Sequence, residues 1–111
     1  MGELSVSLDQ LYYRDDHLLV RLRQQLVMLD GETVRLTSMQ HRLLALLLQH
    51  AGEVVPRASL LLRIWSNMPE LRSSKLDAHI RRLRKKLGIY AGQYIETVMG
   101  AGHRFRPQPG R

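Results

Sequence analysis

Cysteine is absent from the 111 residues, so neither a disulfide framework nor a cysteine-ligated zinc site organises this chain. That absence fits a reducing compartment, and a soluble cytoplasmic protein is the expectation. Aromatic residues make up only 5%, too few for a surface that stacks unpaired bases. No apolar run is longer than Leu43 to Leu48, far short of the roughly 20 residues of a membrane span. No signal-peptide pattern opens the chain. The five histidines, His17, His41, His50, His79 and His103, fall in no H-E-x-x-H or similar metal-binding spacing. Acids are outnumbered: 10 Asp and Glu stand against 17 Lys and Arg, giving a formal net charge of +7 and a pI near 10.6. Such a balance favours a polyanionic partner, although charge bears on association rather than on fold. The length suits one domain with its own core.

What the chain does contain is concentrated in one stretch, Arg72 to Leu87. Leu76, Ile80, Leu83 and Leu87 recur at i, i+4, i+7 and i+11, the apolar stripe of an amphipathic helix. The other side gathers Ser74, Lys75, Ala78, Arg81, Arg82 and Lys85. Cations on a helix usually belong to a solvated face of mixed sign. Here Arg81, Arg82, Arg84, Lys85 and Lys86 follow one another with no interleaved acid. Small Ala78, in the middle of that face, lets a partner approach the backbone closely. Ser74 reads as the helix cap, with Asp77 as the capping-box acid. Capping accounts for Ser73-Ser74-Lys75 better than a nucleophile does, because no base or oxyanion donor accompanies it. His79, on the flank of the stripe, reads as a boundary residue or a phosphate contact.

Around this stretch the periodicity changes twice. Leu4, Val6 and Leu8 alternate with polar residues over Glu3 to Asp9, and His17 to Arg23, Gln25 to Leu29 and Glu32 to Leu36 also read as strands. Asp30-Gly31 is the strongest hairpin signal. From Thr37 the period is helical. Thr37 and Gln40 form a capping-box pattern, the helix runs to about Ala51, and Gly52 stops it at C′. Val54-Val55 reads as an apolar link, and Pro56 as the first turn of a second helix. Leu60, Leu61, Leu62, Ile64 and Trp65 supply the buried side of that helix, and a loop occupies 66–72. After Gly88, Tyr94 to Val98 and His103 to Arg106 form a hairpin whose Gly100-Ala101-Gly102 serves only the turn. The expected fold is α+β, a winged helix-turn-helix with an N-terminal antiparallel sheet, three helices and a C-terminal hairpin wing. Residues 17–106 are the expected domain, 1–16 an extension or extra strand, and 107–111 a frayed tail.

Four segments together resemble the OmpR/PhoB-type DNA-binding domain of bacterial response regulators. They are V-R-L-T-x-x-Q-x-x-L-L-x-L-L (Val34 to Leu47), the leucine-rich run ending at Trp65, L-D-x-H-I-R-R-L-R-K-K-L (Leu76 to Leu87) and I-E-T-V-x-G-x-G-x-R-F (Ile95 to Phe105). The resemblance implies a four-stranded N-terminal sheet, a third helix in the major groove of double-stranded DNA, and a wing over the adjacent minor groove. It also implies head-to-tail homodimers on direct repeats. By position, Arg82 resembles the main base-reading arginine, with Lys75 and Ala78 facing the groove beside it. Arg81, Arg84 and Lys85 resemble backbone or edge contacts, Trp65 and Ser74 contacts to flanking phosphates, and Thr97 and Arg104 wing contacts to phosphate.

The departures are also informative. Met99 stands where the family often has a basic residue, so arginine insertion into the minor groove is not expected. His103 replaces the usual tyrosine, and Pro56-Arg57-Ala58 replaces a hydroxyl cap followed by an acid. These 111 residues include no phosphorylatable receiver, so the expectation is an excised domain or one controlled by other means. The sequence thus reads as a DNA-binding module of transcription regulation rather than an enzyme, with no cofactor. The competing reading is a winged-helix interaction module, contacting RNA polymerase or another regulator through 66–72 and the sheet.

Overall fold

In a computed structural model, the structure describes residues 3–5, 12–65 and 73–108. The N-terminal part is an antiparallel sheet of β1 (Glu3–Ser5), β2 (Tyr12–Arg14), β3 (Leu18–Arg21), β4 (Leu26–Leu29) and β5 (Glu32–Thr33), in chain order. Tyr13 pairs with Val20 and Val20 with Val27. One cross-strand row therefore faces inward, and all three side chains are buried. Asp30 and Gly31 both have positive φ, as a two-residue hairpin turn requires.

Strands β3, β4 and β5 are shorter than their alternation suggested. Of the expected Glu3–Asp9 strand, Glu3–Ser5 is observed, and residues 6–9 lie outside the described part. The strand expected to reach Leu36 spans Glu32–Thr33, with one more backbone bond from the Val34 amide to the Val27 carbonyl at 2.8 Å. Five strands pair where the resemblance implied four, because β1 adds to the outer edge of β2.

Helix α1 (Ser38–Gln49) starts at the capping box read from the sequence. The Gln40 amide donates to Thr37 Oγ1 at 3.2 Å, and the Thr37 amide donates to Gln40 Oε1 at 2.9 Å. Leu43, Leu44, Leu47 and Leu48 are fully buried, and α1 packs on α2 (Arg57–Trp65), on α3 (Ser73–Lys86) and on the C-terminal sheet. Gly52 lies two residues past the helix cap His50, not at C′. Its amide donates to the Phe105 carbonyl at 2.8 Å, so it turns the chain onto that sheet.

Two segments differ in kind from the expectation. Val54–Pro56 is a strand, β6, not a link, and α2 begins only at Arg57. Pro56 fits there because β6 is an edge strand, where a missing amide hydrogen costs no ladder bond. In α2, Leu60 and Ile64 are buried but Leu62 faces solvent, about 200° round the helix from Leu60. Gly88, at positive φ, ends α3 as expected. A 3-10 turn (Gly88–Tyr90) and the short α4 (Ala91–Tyr94) then precede the hairpin, so Tyr94 belongs to a helix end and not to a strand.

Strand β8 (Gly102–Phe105) runs between β6 and β7 (Ile95–Val98). Gly102 does more than turn the chain. A Cβ there would stand 2.1 Å from the Val55 carbonyl oxygen, so β6 and β8 pair closely only with glycine at this position.

The two sheets are tied together by Asp15. Its carboxylate accepts from the hydroxyls of Tyr13 (2.6 Å) and Tyr94 (2.7 Å) and from the amides of His17 and Leu18 (both 2.8 Å). Tyr13, Tyr94 and Phe105 pack ring against ring beneath it. The tail expected to fray from Pro107 is held at its start, where the Gln108 amide donates to the Tyr13 hydroxyl at 2.9 Å.

Candidate nucleic-acid interface

The leucine stripe decides which way α3 faces. Leu76, Ile80, Leu83 and Leu87 are all buried, anchoring the helix on α1. Lys75, Arg81, Arg82, Lys85 and Lys86 are consequently exposed on its outer side. Among the described residues the side chains of these five form no hydrogen bond or ion pair. Ala78 is half-buried among them, as expected of the small residue in the face. His79 lies at the flank. Burial, followed by the charges of Arg82 and Lys75, lowers its pKa, so the ring is neutral near pH 7.

Other expected contacts are engaged internally. Arg84 is half-buried and its Nη1 donates to the Ile95 carbonyl, fastening α3 to β7. Arg104 donates from Nε to Glu96 Oε1 at 2.8 Å across the hairpin, and this bond holds the Glu96 carboxyl below its ordinary pKa. Thr97 Oγ1 lies 3.0 Å from Nδ1 of the buried His103. The structure thus brings Lys75, Ala78, Arg81, Arg82 and Lys85 onto one open face, and places Thr97 and Arg104 on the hairpin beside it. Trp65 is the last residue of α2 and Ser74 lies in the first turn of α3, but their side chains, like all of residues 66–72, where a loop was expected, lie outside the described residues.

The capping roles given to Ser74 and Asp77 do not hold. Helix α3 is already running at Ser73, which puts Ser74 inside it. Asp77 instead accepts two bonds from Arg57 at the start of α2, from Nε at 3.0 Å and Nη2 at 2.8 Å. That bidentate pair lowers the Asp77 pKa and neutralises the one acid on α3. The sequence carried a signal for it, an arginine where the second helix opens and a single acid on the basic helix. A local capping partner for Asp77 was simply the nearer explanation.

Between one flank of α3 and the hairpin lies an open cleft of about 420 Å³, lined by Asp77, Ile80, Arg81, Arg84, Thr97, Met99 and His103. Helix and hairpin thus flank a cationic channel, an arrangement suited to a phosphodiester strand. Among the described residues no helix is long and apolar enough to cross a membrane.

The family described as "Transcriptional regulatory protein, C terminal" matches residues 31–105. The phosphate regulon transcriptional regulatory protein PhoB of Pseudomonas aeruginosa is 34% identical over 79 residues, which are 71% of this chain and 34% of that protein. The chain spans about a third of the length of the curated relatives it matches. Among solved structures, the response regulator DrrB of Thermotoga maritima, an OmpR/PhoB homologue, superposes with a TM-score of 0.75 at 28% identity, covering 86% of this chain and 44% of that one. The DNA-binding domain of Klebsiella pneumoniae RstA, solved in complex with the RstA box, gives 0.72 at 30% identity over 87% of this chain and 98% of that one. Fold, motif order and family match agree: the chain belongs to the C-terminal transcriptional regulatory family, the OmpR/PhoB-type winged-helix domains.

Proposed function

We propose that this chain binds double-stranded DNA sequence-specifically in bacterial transcription regulation, with α3 in the major groove and the β7–β8 hairpin at the flank. The observation that carries the reading is the open cation row. Lys75, Arg81, Arg82, Lys85 and Lys86 project outward while the buried leucines hold the helix from behind. That the similar RstA domain was solved with its DNA box supports duplex DNA as the partner.

In this reading Arg82, midway along the face, reads a base edge, since guanidinium matches guanine O6 and N7 in two bonds. Lys75 and Ala78 line the groove beside it, and Arg81 and Lys85 neutralise phosphates. Trp65, Ser74 and His79 meet the flanking backbone. Thr97 contacts the strand from the wing. Arg84 and Arg104 reach phosphate with the donors that Ile95 and Glu96 leave unused. The unit is taken as residues 17–106, to whose sheet β1 and β2 of the N-terminal segment add, acting in the cytoplasm without cofactor or catalysis. Copies pair head to tail on direct repeats, and a contact to RNA polymerase through 66–72 is compatible with DNA binding.

Selection of duplexes from a random pool tests this directly. A recovered motif containing an essential guanine, repeated in the same direction, is the expected result. A pool that stays random after selection refutes sequence-specific binding.

A further inference from the structure

The hairpin carries a buried ionisable side chain that the interface above leaves unused. His103, standing where the family usually has tyrosine, is only 5% exposed. It lies on the central strand β8, opposite Val55 of β6 on one side and Thr97 of β7 on the other. Its Nδ1 is 3.0 Å from Thr97 Oγ1, and Thr97 is exposed at the edge of the cleft. The charged groups around the ring are Asp77, Arg81 and Arg84 from α3 and Arg57 from α2. Glu96 and Arg104 pair with each other on the opposite face of the hairpin. Burial is the largest influence on His103 and lowers its pKa; Asp77 opposes this, while Arg57 and Arg84 add to it. In the free protein the ring is therefore neutral near pH 7.

A neutral imidazole has one N–H to place. With the proton on Nε2, Nδ1 accepts from the Thr97 hydroxyl, whose hydrogen is then spent inside the hairpin. With the proton on Nδ1, that nitrogen donates to Thr97 Oγ1, and the hydroxyl hydrogen is left to turn toward the cleft. A doubly protonated ring permits only the second arrangement. A phosphate seated between α3 and the hairpin needs a donor and so selects that arrangement, and its negative charge favours the cationic ring. We propose that His103 is a positioning residue for DNA binding, which presents the Thr97 hydroxyl to a backbone phosphate and takes up a proton as the duplex is bound. This rests on the DNA-binding reading above and adds to it a dependence on pH. A group that binds its proton more tightly in the complex strengthens binding as pH falls, and that gain is lost as pH rises through the value in the complex. Tyrosine at this position, un-ionised up to about pH 9, would supply no such dependence.

The test measures affinity for a duplex recovered by selection, at fixed salt, from about pH 5.5 to about pH 8, the range in which histidine titrates. It compares the unmodified chain with His103→Asn, His103→Phe, Thr97→Val and the double variant His103→Phe/Thr97→Val. Asparagine keeps an N–H donor near the Nδ1 position but cannot titrate, and it serves as the decisive variant if phenylalanine disturbs the fold. As pH falls across that range, the unmodified chain is expected to gain about three- to tenfold more affinity than His103→Asn. At the alkaline end these two should bind within about twofold of each other, and Thr97→Val about three- to tenfold more weakly. His103→Phe should lose no more than Thr97→Val, and the double variant no more than Thr97→Val alone, because both remove one shared contact. Coincident pH profiles for the unmodified chain and His103→Asn, or losses at the two positions that add, would overturn the inference. Negligible binding of duplex by the unmodified chain at every pH would instead sink the DNA-binding reading itself.

Discussion

Arg82 and Lys85 sit on the same helix, equally free of partners, and differ in what their head groups can recognise. A planar guanidinium satisfies two acceptors on a guanine edge at once, whereas an ammonium is a point charge that any phosphate satisfies. Arg82→Ala is therefore expected to lower discrimination at one base position by roughly 1–3 kcal/mol, measured by repeating the site selection. Lys85→Ala should weaken all sequences alike and reduce the salt slope by about 0.9, read from affinities at several salt concentrations. A base-specific loss at Lys85, or an unchanged preference at Arg82, would exchange or remove these roles.

Asp15 makes a different kind of claim. Burial raises its carboxyl pKa, but the bonds from Tyr13, Leu18, His17 and Tyr94 outweigh burial and hold it below the ordinary value. The folded state thus favours the ionised form. That stability is complete above the unfolded pKa, about 4, and drains as pH falls through the folded value. Asp15→Asn is expected to cost on the order of 1–2 kcal/mol near pH 7. It should also give a shallower loss between about pH 5 and pH 2 than the unmodified chain, checked by urea midpoints. An equally steep acid loss in both proteins would remove Asp15 from the account.

Among the elements, α3 was the most legible in the sequence, because four leucine-type residues at helical spacing leave no other face for the cations. The Thr37–Gln40 cap and the Asp30-Gly31 turn were legible for a related reason, since each is decided within a few neighbouring residues. The elements that escaped depend on distant partners. Strand β6 is three residues long and exists because β8 returns to pair with it. The α4 turn is held by Tyr94, whose ring and hydroxyl find partners nearly eighty residues earlier in the chain. Arg57 and Asp77 are likewise 20 residues apart, so their pairing had no local signature. Gly102 shows the same limit. Read as a turn residue, it is fixed by the Val55 carbonyl across the sheet. Gly102→Ala is expected to destabilise the fold by on the order of 2–4 kcal/mol, measured by urea unfolding, whereas Gly100→Ala meets no neighbour and pays only for its positive φ. Equal losses at the two positions would contradict the close approach of β6 and β8.

At the scale of the whole molecule, the charge of +7 is not spread evenly in its effect. Arg57 and Arg104 are matched by acids, and Arg84 by a carbonyl, within the fold. Among the described residues, Lys75, Arg81, Arg82, Lys85 and Lys86 on α3 have no such partner. Lys85 and Lys86, together with Arg84, lie in its last turn, where they complement the negative end of the helix dipole by some tenths of a kcal/mol each. Stabilising that turn explains cations near its end but not Lys75, Arg81 and Arg82, which lie too far from it. An outward row spanning the helix is accounted for by a polyanion lying along it. The affinity for duplex DNA as a function of salt measures this directly. Neutralisation of about five to eight phosphates predicts a fall in log affinity against log salt with a slope of roughly −4.5 to −7. A slope near zero, or no measurable binding to duplex at about 50 mM salt, would contradict the assignment of α3 to the groove.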